Sequence, residues 1–178
     1  DSDDTDDDND GIADASDPLT GNSSNLQTNT ITVNVTVNNT MNLEQSFTKT
    51  LEVAVRDLNV TLINFSWNFD DKTLNLANVT VQRETIANKG STLVRGITLA
   101  AGQTKTLYVD DVNASIDRLC IKDAQIDKIT NISSDCSGTG ETAITCPGTA
   151  GNYECTKVEG NTRYKITGLS FSGVIEQP

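Results

Sequence analysis

The chain contains no histidine. That absence removes Ser-His-Asp and Cys-His nucleophilic chemistry, His-ligated zinc and histidine pH switching. Aromatic residues are scarce, at 4% of 178 residues, and apolar residues reach only 35%. No apolar run approaches the roughly 20 residues that a membrane-crossing helix needs. Basic residues are also few, 13 against 25 acidic ones, for a formal net charge of -12. Such a chain lacks the Lys/Arg patches that neutralise phosphates, which disfavours nucleic-acid binding. What remains is a soluble or extracellular non-enzymatic domain, or an enzyme built on carboxylates alone.

The charge is unevenly placed. Residues 1–18 hold nine Asp and no Lys or Arg, while the other 160 residues carry 16 acids against 13 bases. The chain is a nearly neutral body with a dense anionic head. Counted from Asp6 as the first position, Asp8 is third, Asp10 fifth, Gly11 sixth, Ile12 seventh, Asp14 ninth and Asp17 twelfth. This is EF-hand-type calcium spacing: alternate carboxylates, a glycine for the sharp turn, a backbone carbonyl from Ile12 and two distal acids. Hard Ca²⁺ seeks six to eight oxygens, and alternate residues of a tight loop converge theirs on one point. An EF-hand needs flanking helices, whereas here more Asp precedes the run and Pro18 follows it.

The pattern resembles the thrombospondin type 3 repeat, whose unit Asp-x-Asp-x-Asp-Gly-x-x-Asp-x-x-Asp wraps calcium without helices. Asp6, Asp8, Asp10, Gly11, Asp14 and Asp17 match it, over about a tenth of the chain. The resemblance implies Ca²⁺ as the cofactor, and a likeness to archaeal and bacterial cell-surface proteins. Asp1, Asp3 and Asp4 look like the remnant of a preceding repeat that would complete a second ion. The competing reading is a solvated acidic tail.

From Thr30 onward the sequence reads as short strands. Ile31, Val33, Val35 and Val37 alternate with Thr32, Asn34, Thr36 and Asn38, and Leu51, Val53 and Val55 alternate with polar or small residues. Similar stretches are 59–65, 73–82, 92–99, 104–109, 115–121, 126–132, 142–146, 153–158, 163–169 and 173–176. Turn signals separate several of them, among them Asn88-Lys89-Gly90, Ala101-Gly102 and Glu159-Gly160-Asn161. The 25 Thr and 18 Asn replace apolar mass, which favours strands and turns over a helical bundle. The expected fold is all-β, an antiparallel immunoglobulin-like sandwich with a thin Val/Ile/Leu core. Ile97–Thr104 is similar to a hairpin of immunoglobulin-like adhesion modules of archaeal and bacterial surface proteins.

Eight N-x-Ser/Thr sequons lie at Asn22, Asn34, Asn38, Asn59, Asn64, Asn78, Asn113 and Asn131. With Ser and Thr at 38 of 178 residues, about four would arise by chance. In 31–38 the sequon Asn shares the polar face and leaves the valines to the core, so N-linked glycans fit there. The four cysteines, Cys120, Cys136, Cys146 and Cys155, all fall in the last third. An even count in an apparently secreted chain suggests two disulfides, and the close Cys pairs of a zinc site are absent. Three connectivities are open. Sequential pairing, Cys120–Cys136 and Cys146–Cys155, closes the shortest loops.

These features divide the chain into a calcium-binding head (1–18), a linker (19–28), a β-sandwich (29–111) and a small disulfide-containing β unit (112–178), the last two separate or continuous. Asp70-Asp71, Asp110-Asp111 and the pair Asp123/Asp127 could be imagined as glycosidase carboxylates. Turn acids are the stronger reading, since few aromatics exist to line a sugar site. Trp67 with Phe65 or Phe69 forms either an exposed aromatic spot or part of the core.

No catalytic residue is expected. The leading functional expectation is a structural subunit of an extracellular surface assembly: a pilus-like filament, stalk or surface layer. Its partners would be copies of itself, joined by donor-strand exchange through residues 29–38. The alternatives are an adhesin that binds a glycan or protein, and an accessory domain of a secreted hydrolase.

Overall fold

Where β-branched residues alternate with polar ones a strand gains one apolar face, and the chain buries such faces against one another. The computed structural model describes residues 5–6, 11–13, 15–30 and 32–177. Fifteen strands are formed among them: β1 (Leu19–Thr20), β2 (Gln27–Thr28), β3 (Val33–Val37), β4 (Thr50–Asp57), β5 (Val60–Asn68), β6 (Leu74–Asn75), β7 (Thr80–Ile86), β8 (Lys89–Arg95), β9 (Lys105–Asp110), β10 (Arg118–Lys122), β11 (Glu141–Thr145), β12 (Gly148–Ala150), β13 (Tyr153–Val158), β14 (Arg163–Leu169) and β15 (Gly173–Gln177).

The larger sheet has seven strands in the order β12-β13-β14-β9-β5-β4-β3, and the smaller has six in the order β11-β10-β15-β8-β7-β2. Neighbours are antiparallel except β2, which lies parallel on β7; β1 and β6 form a separate parallel pair. One apolar cluster takes residues from both large sheets. Val35, Val55, Ile63, Leu107 and Ile166 enter from the larger, and Val81, Val94, Leu119, Ile144 and Val174 from the smaller. Each such side chain contributes about 1.5–3 kcal/mol by leaving water. The result is an all-β, sandwich-like fold.

β9 pairs with β14, and β8 with β15. The stretches 29–111 and 112–178 therefore share both sheets and one core. Residues 19–28, expected as a linker, include β1 and β2, and Leu19 and Leu26 are buried in the main cluster.

Two expected strands take other forms. Residues 126–132 make no strand: Ile129–Asn131 is a 3-10 turn, and Ile126, Ile129 and Ile132 pack on Leu93, Cys120 and Ile175. Their spacing of three, not two, suits a turning segment that lays one residue per turn on the sheet. This flap covers the outer face of the smaller sheet. The stretch 73–82 is broken by a 3-10 turn at Leu76–Asn78, where the Asn75 side chain accepts the Ala77 N–H at 2.9 Å. The β7–β8 turn sits at Ala87-Asn88, both with positive φ, and releases Lys89 and Gly90 to β8. Gly90 is needed there, because a Cβ would lie 2.0 Å from the Asp110 carbonyl oxygen of the opposite sheet. Phe65, Trp67 and Phe69 are buried, so they belong to the core and form no exposed aromatic spot.

Candidate metal centre and modification sites

Asp6 accepts the Gly11 N–H at 2.9 Å, and Gly11 has φ +92°, a conformation that glycine adopts without strain. The N–H of Ser16 then bonds to the Ala13 carbonyl at 2.7 Å. Asp17 is buried and accepts the Leu19 N–H at 2.9 Å. The Pro18 carbonyl accepts the Leu74 N–H at 2.9 Å, next to the β1–β6 pair. Of the expected ligands, Asp6, Ile12 and Asp17 are described; Asp1, Asp3, Asp4, Asp8, Asp10 and Asp14 lie outside the described residues. The all-oxygen donor set read from the sequence and the positive φ of Gly11 suit a hard oxygen-seeking cation. Asp6, Asp8, Asp10, the Ile12 carbonyl, Asp14 and Asp17 would hold it, and its chemistry there would be structural.

The cysteines pair sequentially, Cys120 with Cys136 and Cys146 with Cys155. Cys120, Cys136 and a Glu141 carboxylate oxygen lie within 4.8 Å of one another. They make no thiolate metal site, because both sulfurs are committed to the disulfide. Glu141 instead braces the flap, accepting the Ser133 N–H and the Gly138 N–H, each at 2.9 Å, together with the Ser133 hydroxyl and the Lys122 ammonium. Burial raises the Glu141 carboxyl, but these donors outweigh it and bring it to about 2.

Six sequon asparagines, Asn22, Asn34, Asn38, Asn59, Asn78 and Asn131, are exposed, while Asn64 and Asn113 are half-buried. Asn34 stands on the outer face of edge strand β3, with Val33 and Val35 turned inward.

The acid pairs serve the framework. Arg83 on β7 crosses between the sheets to Asp57 on β4 at 2.8 Å and to Asp110 on β9 at 2.6 Å; Arg163 shares Asp110 at 3.0 Å. A hydrogen bond from Thr32 and the Arg83 guanidinium, working against burial, lowers the Asp57 carboxyl. Asp111 meets Lys157 at 3.0 Å, and Asp117 meets the same ammonium at 2.6 Å. Asp117 first, then Asp111, pushes Lys157 above its usual range. Asp123 accepts the Ser170 and Phe171 N–H groups and ties down the β14–β15 loop. Asp127 pairs with Arg95, and Asp70 accepts the Lys49 N–H.

Glu176 and Lys105 are among the buried ionisable groups that the sequence does not single out. Glu176 is fully buried on β15, accepts the Gly90 N–H at 2.6 Å, and is raised by burial. Lys105 is 1% exposed, donates to the Ser170 carbonyl at 2.7 Å, and is lowered by burial to about 8 despite the Asp123 charge. The alternation Lys105-Leu107-Val109 was the available signal, since it puts Lys105 on the inward face. A crevice of about 340 Å³, open to solvent, lies where the head meets the body, between Asp17, Phe47 and Asp70.

Among the described residues no helix is long and apolar enough to cross a membrane. No protein-family model matches the chain, and neither does a curated protein or a solved structure.

Proposed function

We propose that this chain is a non-catalytic structural subunit of an extracellular surface assembly, such as a filament, stalk or surface layer. In this reading the body is an enlarged immunoglobulin-like sandwich, the head binds Ca²⁺, the exposed sequons carry N-linked glycans, and subunits join by β-strand addition. Two disulfides fit an oxidising compartment. Strand exchange through residues 29–38 would have to release β3, whose three valines are buried, together with the packed segment 19–28. Addition at a free sheet edge needs no such release.

The observation that carries the reading is continuity between head and body. Asp6 accepts the Gly11 N–H in the head, and buried Asp17 accepts the Leu19 N–H at the start of β1, so an ion that took Asp17 as a ligand would stiffen the entry to the core. The test is thermal unfolding and limited proteolysis with Ca²⁺ and with EDTA, alongside electron micrographs of native material. Higher melting and protection of residues 1–18 in Ca²⁺, with ordered assemblies in the micrographs, are the expected results. Identical melts and cleavage in both buffers would overturn the calcium reading, and absence of any assembly would overturn the structural one.

A further inference from the structure

Four strands end the two large sheets: β3 and β12 the larger, β2 and β11 the smaller. The β2–β3 side is obstructed. The Ser23 hydroxyl accepts the Val35 N–H, Thr40 bridges to Val37, and sequons stand at Asn22, Asn34 and Asn38. These are devices that blunt a strand edge.

The β11 side is different. The Cys146 N–H bonds to the Asp117 carbonyl at 2.7 Å, and the register continues Leu119↔Ile144 and Ile121↔Thr142. In an antiparallel ladder the bonded pairs recur at every second residue. Glu141, Ala143 and Thr145 therefore point their N–H and C=O groups away from β10. The Glu141 N–H is taken by Gly138, while the N–H groups of Ala143 and Thr145 face outward, with no strand beside β11 among the described residues. Residues 142–152, Thr-Ala-Ile-Thr-Cys-Pro-Gly-Thr-Ala-Gly-Asn, contain no Lys, Arg, Asp or Glu, and no sequon follows Asn131. The Glu141 carboxylate is turned onto Ser133, Gly138 and Lys122 and adds no charge to the edge.

We propose that β11 is a homotypic docking edge, and that its occupant is β11 of a second copy, running antiparallel about a two-fold axis at Ala143. A two-fold makes an edge complementary to itself: Ala143 meets its counterpart, and Glu141 faces Thr145 of the other copy. The Ala143 N–H groups meet each other's carbonyls and the Thr145 N–H meets the Glu141 carbonyl of the other copy, while the Glu141 N–H stays with Gly138; no like charges are opposed. The smaller sheet then continues from one copy into the next. The contact spans five residues, so it is weak alone and depends on concentration. This deepens the self-association part of the proposed function and is independent of its calcium part.

The experiment is sedimentation and light scattering of the unglycosylated full chain over a wide concentration range, in Ca²⁺ and in EDTA. The expected result is a shift from one-chain to two-chain mass in both buffers. Ala143→Pro removes the outward donor at the axis without taking a bond from the β10 ladder, and should abolish the two-chain species. Ala143→Lys opposes two ammonium groups at the axis and should do the same; it also guards against misfolding of the proline variant. Thr149→Pro on β12 should leave the two-chain species intact. A one-chain mass throughout, association by folded Ala143→Lys equal to the parent's, or loss of association through Thr149→Pro would each overturn the proposal. Calcium-independent melting with an intact two-chain species would overturn the loop reading alone.

Discussion

Lys105 offers the sharpest test of the core. The residue is 1% exposed, and its ammonium group rests against the Phe171 ring at 6.0 Å with the Ser170 carbonyl as its hydrogen-bond acceptor. Burial lowers it from 10.5 to about 8. Below about pH 8 the folded and unfolded chains are both protonated, and folding carries the full cost of burying the charge, about 3 kcal/mol. Between about 8 and 10.5 the unfolded chain holds the proton that the folded chain has lost, so stability rises with pH. Above 10.5 the difference is gone. From pH 7 to 9.5 the gain is about 2 kcal/mol, or about 4–8 °C in melting temperature for a domain of this size. Lys105→Met removes the ionisable group and keeps the apolar stem, and should flatten this slope. Calorimetric melts of both proteins across pH 7–9.5 are the assay. Parallel curves would refute the argument, because they would mean that Lys105 titrates alike in the folded and unfolded chains.

Arg83→Met deprives Asp57 and Asp110 of their shared cation while keeping volume, and should destabilise by about 1–3 kcal/mol, read as a lower urea midpoint with unchanged slope. In the parent the lowered Asp57 carboxyl contributes stability that is present above its ordinary pKa of 3.8 and is lost as pH falls through the folded value; the variant should lose less on acidification. Replacing Cys120 and Cys136 by Ala should lower stability by about 3 kcal/mol for a closed loop of this length. Cleavage should then appear within 123–136, because the flap loses its covalent tie and keeps only hydrogen bonds, ion pairs and three packed isoleucines to hold it. Resistance of that flap to protease would show that the disulfide is dispensable.

The sequence made the strands legible where one residue type alternated cleanly. β13 and β14 occupy Tyr153–Val158 and Arg163–Leu169 as expected, and β3 takes Val33–Val37 within the expected 31–38. It also made the cysteine pairing legible, because sequential bridges close short loops. At 126–132 the strand expectation fails because the three isoleucines stand three residues apart and lack a strand's period of two. The role of 19–28 was hidden for another reason. Two-residue parallel strands carry no periodicity, and their partners at 74–75 and 80–81 are supplied by tertiary packing alone. The buried Lys105 and Glu176 were overlooked because charge suggests surface, although both stand in register with inward apolar neighbours.

That hidden segment changes what calcium binding would do. A loop hung on a flexible tether would gain order from an ion without affecting the sandwich. Calcium would then protect residues 1–18 from protease while leaving the global melting temperature unmoved. Here Asp17 is buried, Pro18 and Leu19 join residues 74–75, and Leu26 lies in the main cluster. An ion that binds only the folded loop stabilises whatever unfolds with it, by about 2.7 kcal/mol at a hundredfold excess over its dissociation constant. With the loop anchored in the core, that stabilisation should appear in the cooperative transition of the whole chain. Leu19→Ala and Leu26→Ala together would loosen the anchor and should uncouple the two readouts, keeping protease protection by Ca²⁺ but shrinking the shift in melting temperature. A full calcium shift in that double variant would show that the ion acts on the body by some route other than β1 and β2.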